Sequence, residues 1–185
     1  MMIRALKRLM AILGLSLSAT ALAAITIGQP APDFNLQDQR GDWHTLEQHR
    51  GQWVALYFYP KDDTPGCTTE ACAFRDNIFA FDELNAVILG VSLDDVESHA
   101  AFAEKYSLPF SILADTEQQA ATAYGVLRKI GPMSLAKRQS FLIDPAGNVV
   151  KHYEQVDPSN HTDEVLADLK TEIAAAGDAD SDSDS

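Results

Sequence analysis

Cysteine is scarce: only Cys67 and Cys72 occur in 185 residues, too few for the disulfide framework of a small secreted scaffold. Basic residues are also few, 14 Lys and Arg against 27 Asp and Glu, for a formal net charge of −13. Such a surface repels phosphate backbones, which excludes nucleic acid as a partner. No internal repeat recurs, and no linker is long enough to divide the chain. What is present is ordinary: 46% hydrophobic and 22% charged residues, with enough chain to build a core of its own.

The two ends read differently from the middle. Arg4, Lys7 and Arg8 precede an uncharged apolar run from Leu9 to Ala19, followed by Ala21-Leu22-Ala23. A basic start, a short apolar core and a small-x-small site predict a signal peptide over residues 1–23, cleaved near Ala23, with an uncleaved N-terminal anchor as the rival reading. The run is shorter than the roughly 20 residues of a spanning helix, so no stable membrane insertion is expected. The implied location is periplasmic or secreted. From Gly177 onward Asp alternates with Ala and Ser. Residues 177–185 therefore read as a disordered acidic tail with nothing to bury, which leaves 24–176 as one domain.

Within that domain, Trp53 to Tyr59 is a continuous apolar and aromatic run closed by Pro60, the pattern of a strand buried on both faces. Ala86 to Ser92 and Phe141 to Ile143 have the same character, and Pro109 to Leu113 reads as a further strand. Ala71, Phe74, Ile78 and Phe81 recur at helical spacing and predict one helix beginning near Cys67. Asp94 or Asp95 caps a helix reaching about Tyr106, and a short helix follows from Gln118 to Tyr124. The turn Asp144-Pro-Ala-Gly-Asn148 predicts a hairpin from Phe141–Ile143 to Val149–Tyr153. Asn160 or Thr162 opens a last helix, with Val165, Leu166, Leu169 and Ile173 inward. Strands alternating with helices, plus one late hairpin, predict an α/β domain with a central mixed sheet flanked by helices. The segment from Leu127 to Ala136 reads as a loop. Each of the five histidines reads as a surface or capping residue.

The cysteine pair admits a structural and a chemical reading. In an exported protein an even pair is commonly a structural disulfide. Five residues of helix, however, rise about 7.5 Å and place the Cα atoms roughly 8–9 Å apart. Disulfides rarely tolerate more than about 7 Å. Cys67 follows a buried strand and the short loop Pro60-Lys-Asp-Asp-Thr-Pro-Gly66, which places it at a helix start. Free amides and the positive end of the helix dipole favour a thiolate there. An ordinary thiol is only a few per cent ionised at pH 7, and a helix end alone supplies too little, so a cation is expected nearby. Zinc is the weaker reading, because two cysteines lack two further ligands at a recognisable spacing.

Pro60, Thr64 and Cys67, at spacings of four and three, resemble the active-site motif of the peroxiredoxins. The continuation Cys67-Thr-Thr-Glu-Ala-Cys72 resembles the Q-type branch, the bacterioferritin comigratory proteins, whose second cysteine lies five residues on. Gly28-Gln-Pro-Ala-Pro-Asp-Phe34, Lys137-Arg-Gln-Ser-Phe-Leu-Ile-Asp144 and Ser159-Asn-His161 resemble that branch in the same order.

The resemblance implies a thioredoxin-like fold and a thiol peroxidase acting on hydrogen peroxide or alkyl hydroperoxides, with no cofactor and no metal. It implies that Cys67 is the nucleophile and becomes a sulfenic acid, and that Cys72 then closes a Cys67–Cys72 disulfide after the first helical turns unwind. Thr64 would offer its hydroxyl to thiolate and peroxide, or serve only as a helix cap. Pro60 would wall the pocket against water, and Arg138 would steady the thiolate and the transition state. Glu70 and Arg75 read as surface or supporting charges. Recycling would fall to a thioredoxin-like reductant, outside the cytoplasm if the chain is exported. A resolving cysteine in the same helix implies a monomer. The rival enzyme, an exported thiol:disulfide oxidoreductase of the same fold, lacks its Trp-Cys-x-x-Cys site here. An exported binding module with a small disulfide would leave Pro60, Thr64 and Arg138 unexplained.

Overall fold

The computed structural model describes residues 25–182, so the signal peptide expected at 1–23 lies outside the described residues. Among the described residues there are nine strands and five α-helices. The strands are β1 (Asn35–Asp38), β2 (Trp43–Thr45), β3 (Trp53–Phe58), β4 (Ala86–Ser92), β5 (Ser111–Ala114), β6 (Leu127–Ile130), β7 (Met133–Ala136), β8 (Gln139–Ile143) and β9 (Val149–Tyr153). The helices are α1 (Pro65–Asp76), α2 (Ile78–Glu83), α3 (Val96–Tyr106), α4 (Gln119–Ala123) and α5 (His161–Asp182). Seven strands make one mixed sheet in the order β2-β1-β5-β4-β3-β8-β9, while β6 and β7 pair only with each other. Strand β3 is central, parallel to β4 and antiparallel to β8.

The apolar run of β3 explains that position. All six of its residues are buried, and their alternation divides the core in two. Trp53, Ala55 and Tyr57 join Cys67, Ala71, Phe74, Phe102, Val165 and Leu169 on one face. Val54, Leu56 and Phe58 join Phe34, Tyr124, Phe141 and Val149 on the other. Helices α1, α3 and α5 thus cover one side and α4 the other. The expected mixed sheet with flanking helices is what the chain forms.

Three local expectations need correction. The helix predicted through Phe81 is broken at Asn77, which ends α1 and precedes α2 with φ −107 and ψ 9. Its side-chain amide donates to the Ala73 carbonyl, a bond that competes with helix continuation. Buried Ala71, Phe74 and Phe81 nonetheless share one core cluster, as the periodicity required. The segment from Leu127 to Ala136 is a hairpin rather than a loop, with Gly131 at φ 58 beside its turn. Finally, the boundary at 176 does not end the last helix: α5 continues through Gly177 to Asp182. A glycine costs a helix only about 1 kcal/mol, and the preceding alanines are the best helix formers.

Candidate active site

Tyr59 ends the central strand by donating its amide to the Val91 carbonyl, and Pro60, without an amide, turns the chain out of the sheet. The loop that follows is pinned at both of its aspartates. Buried Asp62 accepts from the Tyr59 hydroxyl and the Ser98 hydroxyl at 2.7 Å each, and lies 2.8 Å from His99 Nδ1. Burial raises its carboxyl, but the bonds from His99, Tyr59 and Ser98 outweigh burial and bring it below its ordinary value. Asp63, at φ 56, takes Lys105 Nζ at 2.6 Å and the Tyr106 hydroxyl at 2.6 Å. Both partners belong to α3, so the loop is held against that helix.

Helix α1 then begins with Pro65 at its first position, where a missing amide costs nothing. Its first backbone bond runs from the Thr68 amide to the Thr64 carbonyl. The Gly66 and Cys67 amides therefore precede the intrahelical ladder and carry the positive end of the helix dipole. The Cys67 side chain turns inward and is 1% exposed. Thr64 stands at the N-cap without a side-chain cap bond, and its hydroxyl donates to the Lys61 carbonyl at 3.0 Å. Pro60 is half-buried and borders a cavity of about 220 Å³ shared with Leu93, Met133 and Leu135.

The cation expected near Cys67 is Arg138, which follows β7. Its Nη2 donates to Cys67 Sγ at 3.2 Å, and its Nη1 donates to Glu70 Oε2. Gly66 makes room for this approach: a Cβ there would sit 3.2 Å from Arg138 Nη2. Glu70 is fully buried. Burial pushes its carboxyl up to about 7, against the pull of the Arg138 charge. It is thus a supporting charge, as read, but not a surface one. Its signal was present in the sequence, since a residue three positions after Cys67 shares the helix face.

Two more groups of this environment escaped the sequence reading. Tyr57 lies under the site, its ring stacked 4.8 Å from that of Phe74. Burial first, then the charges of Glu70 and Cys67, raise its phenol well above the ordinary value. Its neighbour in β4 must be Gly90, because a Cβ there would meet the Tyr57 ring at 2.8 Å. His161, expected at the surface, is fully buried with Nε2 2.8 Å from the Ser140 hydroxyl. Burial and the nearby Arg138 charge push it down to about 4. His99 is likewise fully buried, so the expectation of surface histidines fails for both. No sequence periodicity marks a histidine whose partner is a distant Asp or Ser.

Cys72 lies on the same unbroken helix, partly exposed, and both cysteines are free thiols. Arg75 interacts electrostatically with Cys72, is held chiefly by Asp76, and donates to the Tyr106 carbonyl at 2.7 Å. Cys67 and Arg138 thus meet at the start of α1, where Thr64 is the N-cap; Pro60 lies in the loop before it and lines a separate cavity, and Cys72 stands five residues along the helix. The structure contains a buried sulfur with a guanidinium on one side and a helix N-terminus on the other, an arrangement suited to an anionic nucleophile.

Comparisons with known proteins agree on one group. The model of the AhpC/TSA family matches residues 27–152. Over 150 residues the chain is 47% identical to Peroxiredoxin Bcp of Bacillus subtilis (strain 168), covering 79% of this chain and 96% of that one. It is 43% identical over 156 residues to the chloroplastic Peroxiredoxin Q of Arabidopsis thaliana, covering 84% and 72% respectively. Among solved structures, Peroxidoxin BcpB from Mycobacterium tuberculosis superposes with a TM-score of 0.75 at 35% identity, covering 80% of this chain and 97% of that one. The bacterioferritin comigratory protein of Xanthomonas campestris, solved for insights into its alkyl peroxide reduction activity, gives 0.72 at 37% identity over 75% and 91%. The expected thioredoxin-like architecture is theirs as well.

Proposed function

Since the chain belongs to the AhpC/TSA family and is a thiol peroxidase of the Q-type peroxiredoxins, we propose that it reduces hydrogen peroxide and organic hydroperoxides through Cys67 and Cys72. The observation that carries this reading is the 3.2 Å bond from Arg138 Nη2 to Cys67 Sγ in the first turn of α1. The alkyl peroxide reduction named for the Xanthomonas campestris relative supports the substrate class.

The Cys67 thiolate attacks the terminal peroxide oxygen; an S–O bond forms and the O–O bond breaks. The second oxygen leaves as water or alcohol after taking a proton, and Cys67 becomes a sulfenic acid. Charge moves from sulfur to oxygen during this step, and the Arg138 guanidinium, held by Glu70, already touches the sulfur from which that charge departs. A charge-assisted donor held in place before the reaction stabilises the transition state without reorganisation. We assign the Thr64 hydroxyl to the incoming peroxide, for which it must leave the Lys61 carbonyl, and Pro60 to the exclusion of water.

Cys72 then attacks the Cys67 sulfur as a thiolate. An S–S bond forms, the S–O bond breaks, and hydroxide leaves to become water. The two sulfurs meet only after the first turns of α1 open. A thioredoxin-like dithiol returns both thiols. Export after cleavage near Ala23 rests on the composition of residues 1–23, and it places that donor outside the cytoplasm. The monomeric state follows from keeping both cysteines in one helix. Peroxide consumption by the reduced protein, compared with Cys67→Ser, tests the core of the reading. Retained steady-state turnover in the variant rejects it.

A further inference from the structure

Charge is unevenly spread on this acidic chain, and one face reverses its sign. From Gln118 to Ile143 there is no acidic residue, while Arg128, Lys129, Lys137 and Arg138 all fall there. Strands β6 and β7 fold part of that run into a hairpin that stands apart from the main sheet. Arg128, Lys129 and Lys137 are exposed, and none has a carboxylate partner among the described residues. Arg40, Arg50, Arg75, Lys105 and Lys151, by contrast, each lie against one. The tip is apolar and in water, with Ile130 48% and Met133 60% exposed. Unpaired cations around exposed apolar side chains have the makeup of an interaction surface.

The hairpin also stands beside the chemistry. Strand β7 leads through Lys137 directly into Arg138, whose guanidinium touches Cys67. Met133, Ser134 and Leu135 face Pro60 and Lys61 across their shared cavity.

We propose that the β6–β7 hairpin is the docking surface for the protein reductant, a thioredoxin-like partner whose dithiol is rimmed by carboxylates. This rests on the reading of a Cys67–Cys72 disulfide recycled by such a donor. A partner of that charge is repelled by the bulk of a chain with net charge −13, and is steered to this basic hairpin. Contact with the apolar tip then brings its dithiol next to the active-site loop. One partner thiolate attacks a sulfur of the Cys67–Cys72 disulfide, forming a mixed disulfide and releasing the other cysteine. The second partner thiol attacks the mixed disulfide, leaving the partner oxidised and both cysteines reduced, with its two protons passing to them.

The test compares two reductants on the whole protein, an acidic thioredoxin with its reductase and dithiothreitol. Arg128→Glu/Lys129→Glu should raise the KM for thioredoxin about tenfold or more and flatten its dependence on salt. The dithiothreitol-driven rate should stay unchanged, which also reports an intact fold. An unchanged thioredoxin KM overturns the docking surface, and so does an equal fall with both reductants. If thioredoxin fails to drive the unaltered protein, the recycling reading itself fails, an outcome distinct from these.

Discussion

The guanidinium of Arg138 donates to the sulfur of Cys67 at 3.2 Å across 71 positions of sequence. A second bond to buried Glu70 fixes that contact. Arginine here can serve two acceptors at once because its donors form a planar fork. Removing the fork should slow peroxide reduction by about 10²–10³-fold in Arg138→Ala, the scale of losing one donor to a developing oxyanion. Arg138→Lys should recover only part of this. Stopped-flow peroxide reduction at neutral pH measures both, and full activity in the lysine variant would contradict the two-acceptor geometry.

The two cysteines should separate kinetically. Cys67→Ser should abolish turnover. Cys72→Ser should still reduce one equivalent of peroxide and then stop as a sulfenic acid, detectable by mass or by dimedone labelling. Steady-state turnover of Cys72→Ser at the rate of the unaltered protein, with thioredoxin and its reductase as the sole reductant, would remove Cys72 from the cycle.

Gly66 packs closely against the Arg138 guanidinium. The added methyl of Gly66→Ala would sit 3.2 Å from Nη2 and should shift the guanidinium by a few tenths of an ångström against the sulfur, lowering the peroxide rate constant up to about tenfold. Alanine favours the helix, so thermal stability should hold or rise while activity falls. Parallel loss of both would point to general disruption instead.

Glu70 should leave a signature in stability against pH. Its carboxyl is raised from 4.5 to about 7 in the fold, so between those values the native state binds the extra proton. Stability from this group is therefore complete below about pH 4.5 and is lost as pH rises through about 7, on the order of 3 kcal/mol. Relative to Glu70→Gln, the unaltered protein should weaken across that window. His161, lowered to about 4, acts in the opposite sense but is common to both proteins. Denaturation curves of the two proteins that run parallel from pH 5 to 7 would show that Glu70 does not titrate there.

Disulfide formation should open α1 locally. Cysteines five residues apart in an intact helix cannot bridge, and breaking a few backbone bonds costs about 0.5–1.5 kcal/mol each. That is well below the stability of a whole domain. On oxidation, amides from Thr68 to Arg75 should lose protection from hydrogen exchange while those of Val54 to Phe58 keep it. Equal protection of the helix in both states would exclude the opening.

The sequence by itself determined the elements whose pattern is local. Strand β3 was legible because burial on both faces demands an unbroken apolar run. Helix α3 was legible because Asp95 caps it, accepting from the Ser98 amide, and Val165, Leu166 and Leu169 marked the inner face of α5. Cys67 could be placed at a helix start from the strand, the loop and Pro65. Resemblance alone pointed to Arg138, since a single arginine carries no periodic signal. Tertiary structure decided the rest. Glu70 and His161 are buried with one polar atom each bonded from elsewhere in the chain, Glu70 Oε2 by Arg138 and His161 Nε2 by Ser140, and such distant partners offset part of the cost of lost water. The β6–β7 hairpin was missed because β6 is largely exposed and β7 buries only Ala136, so neither carries the hydrophobic alternation by which a sequence announces a strand.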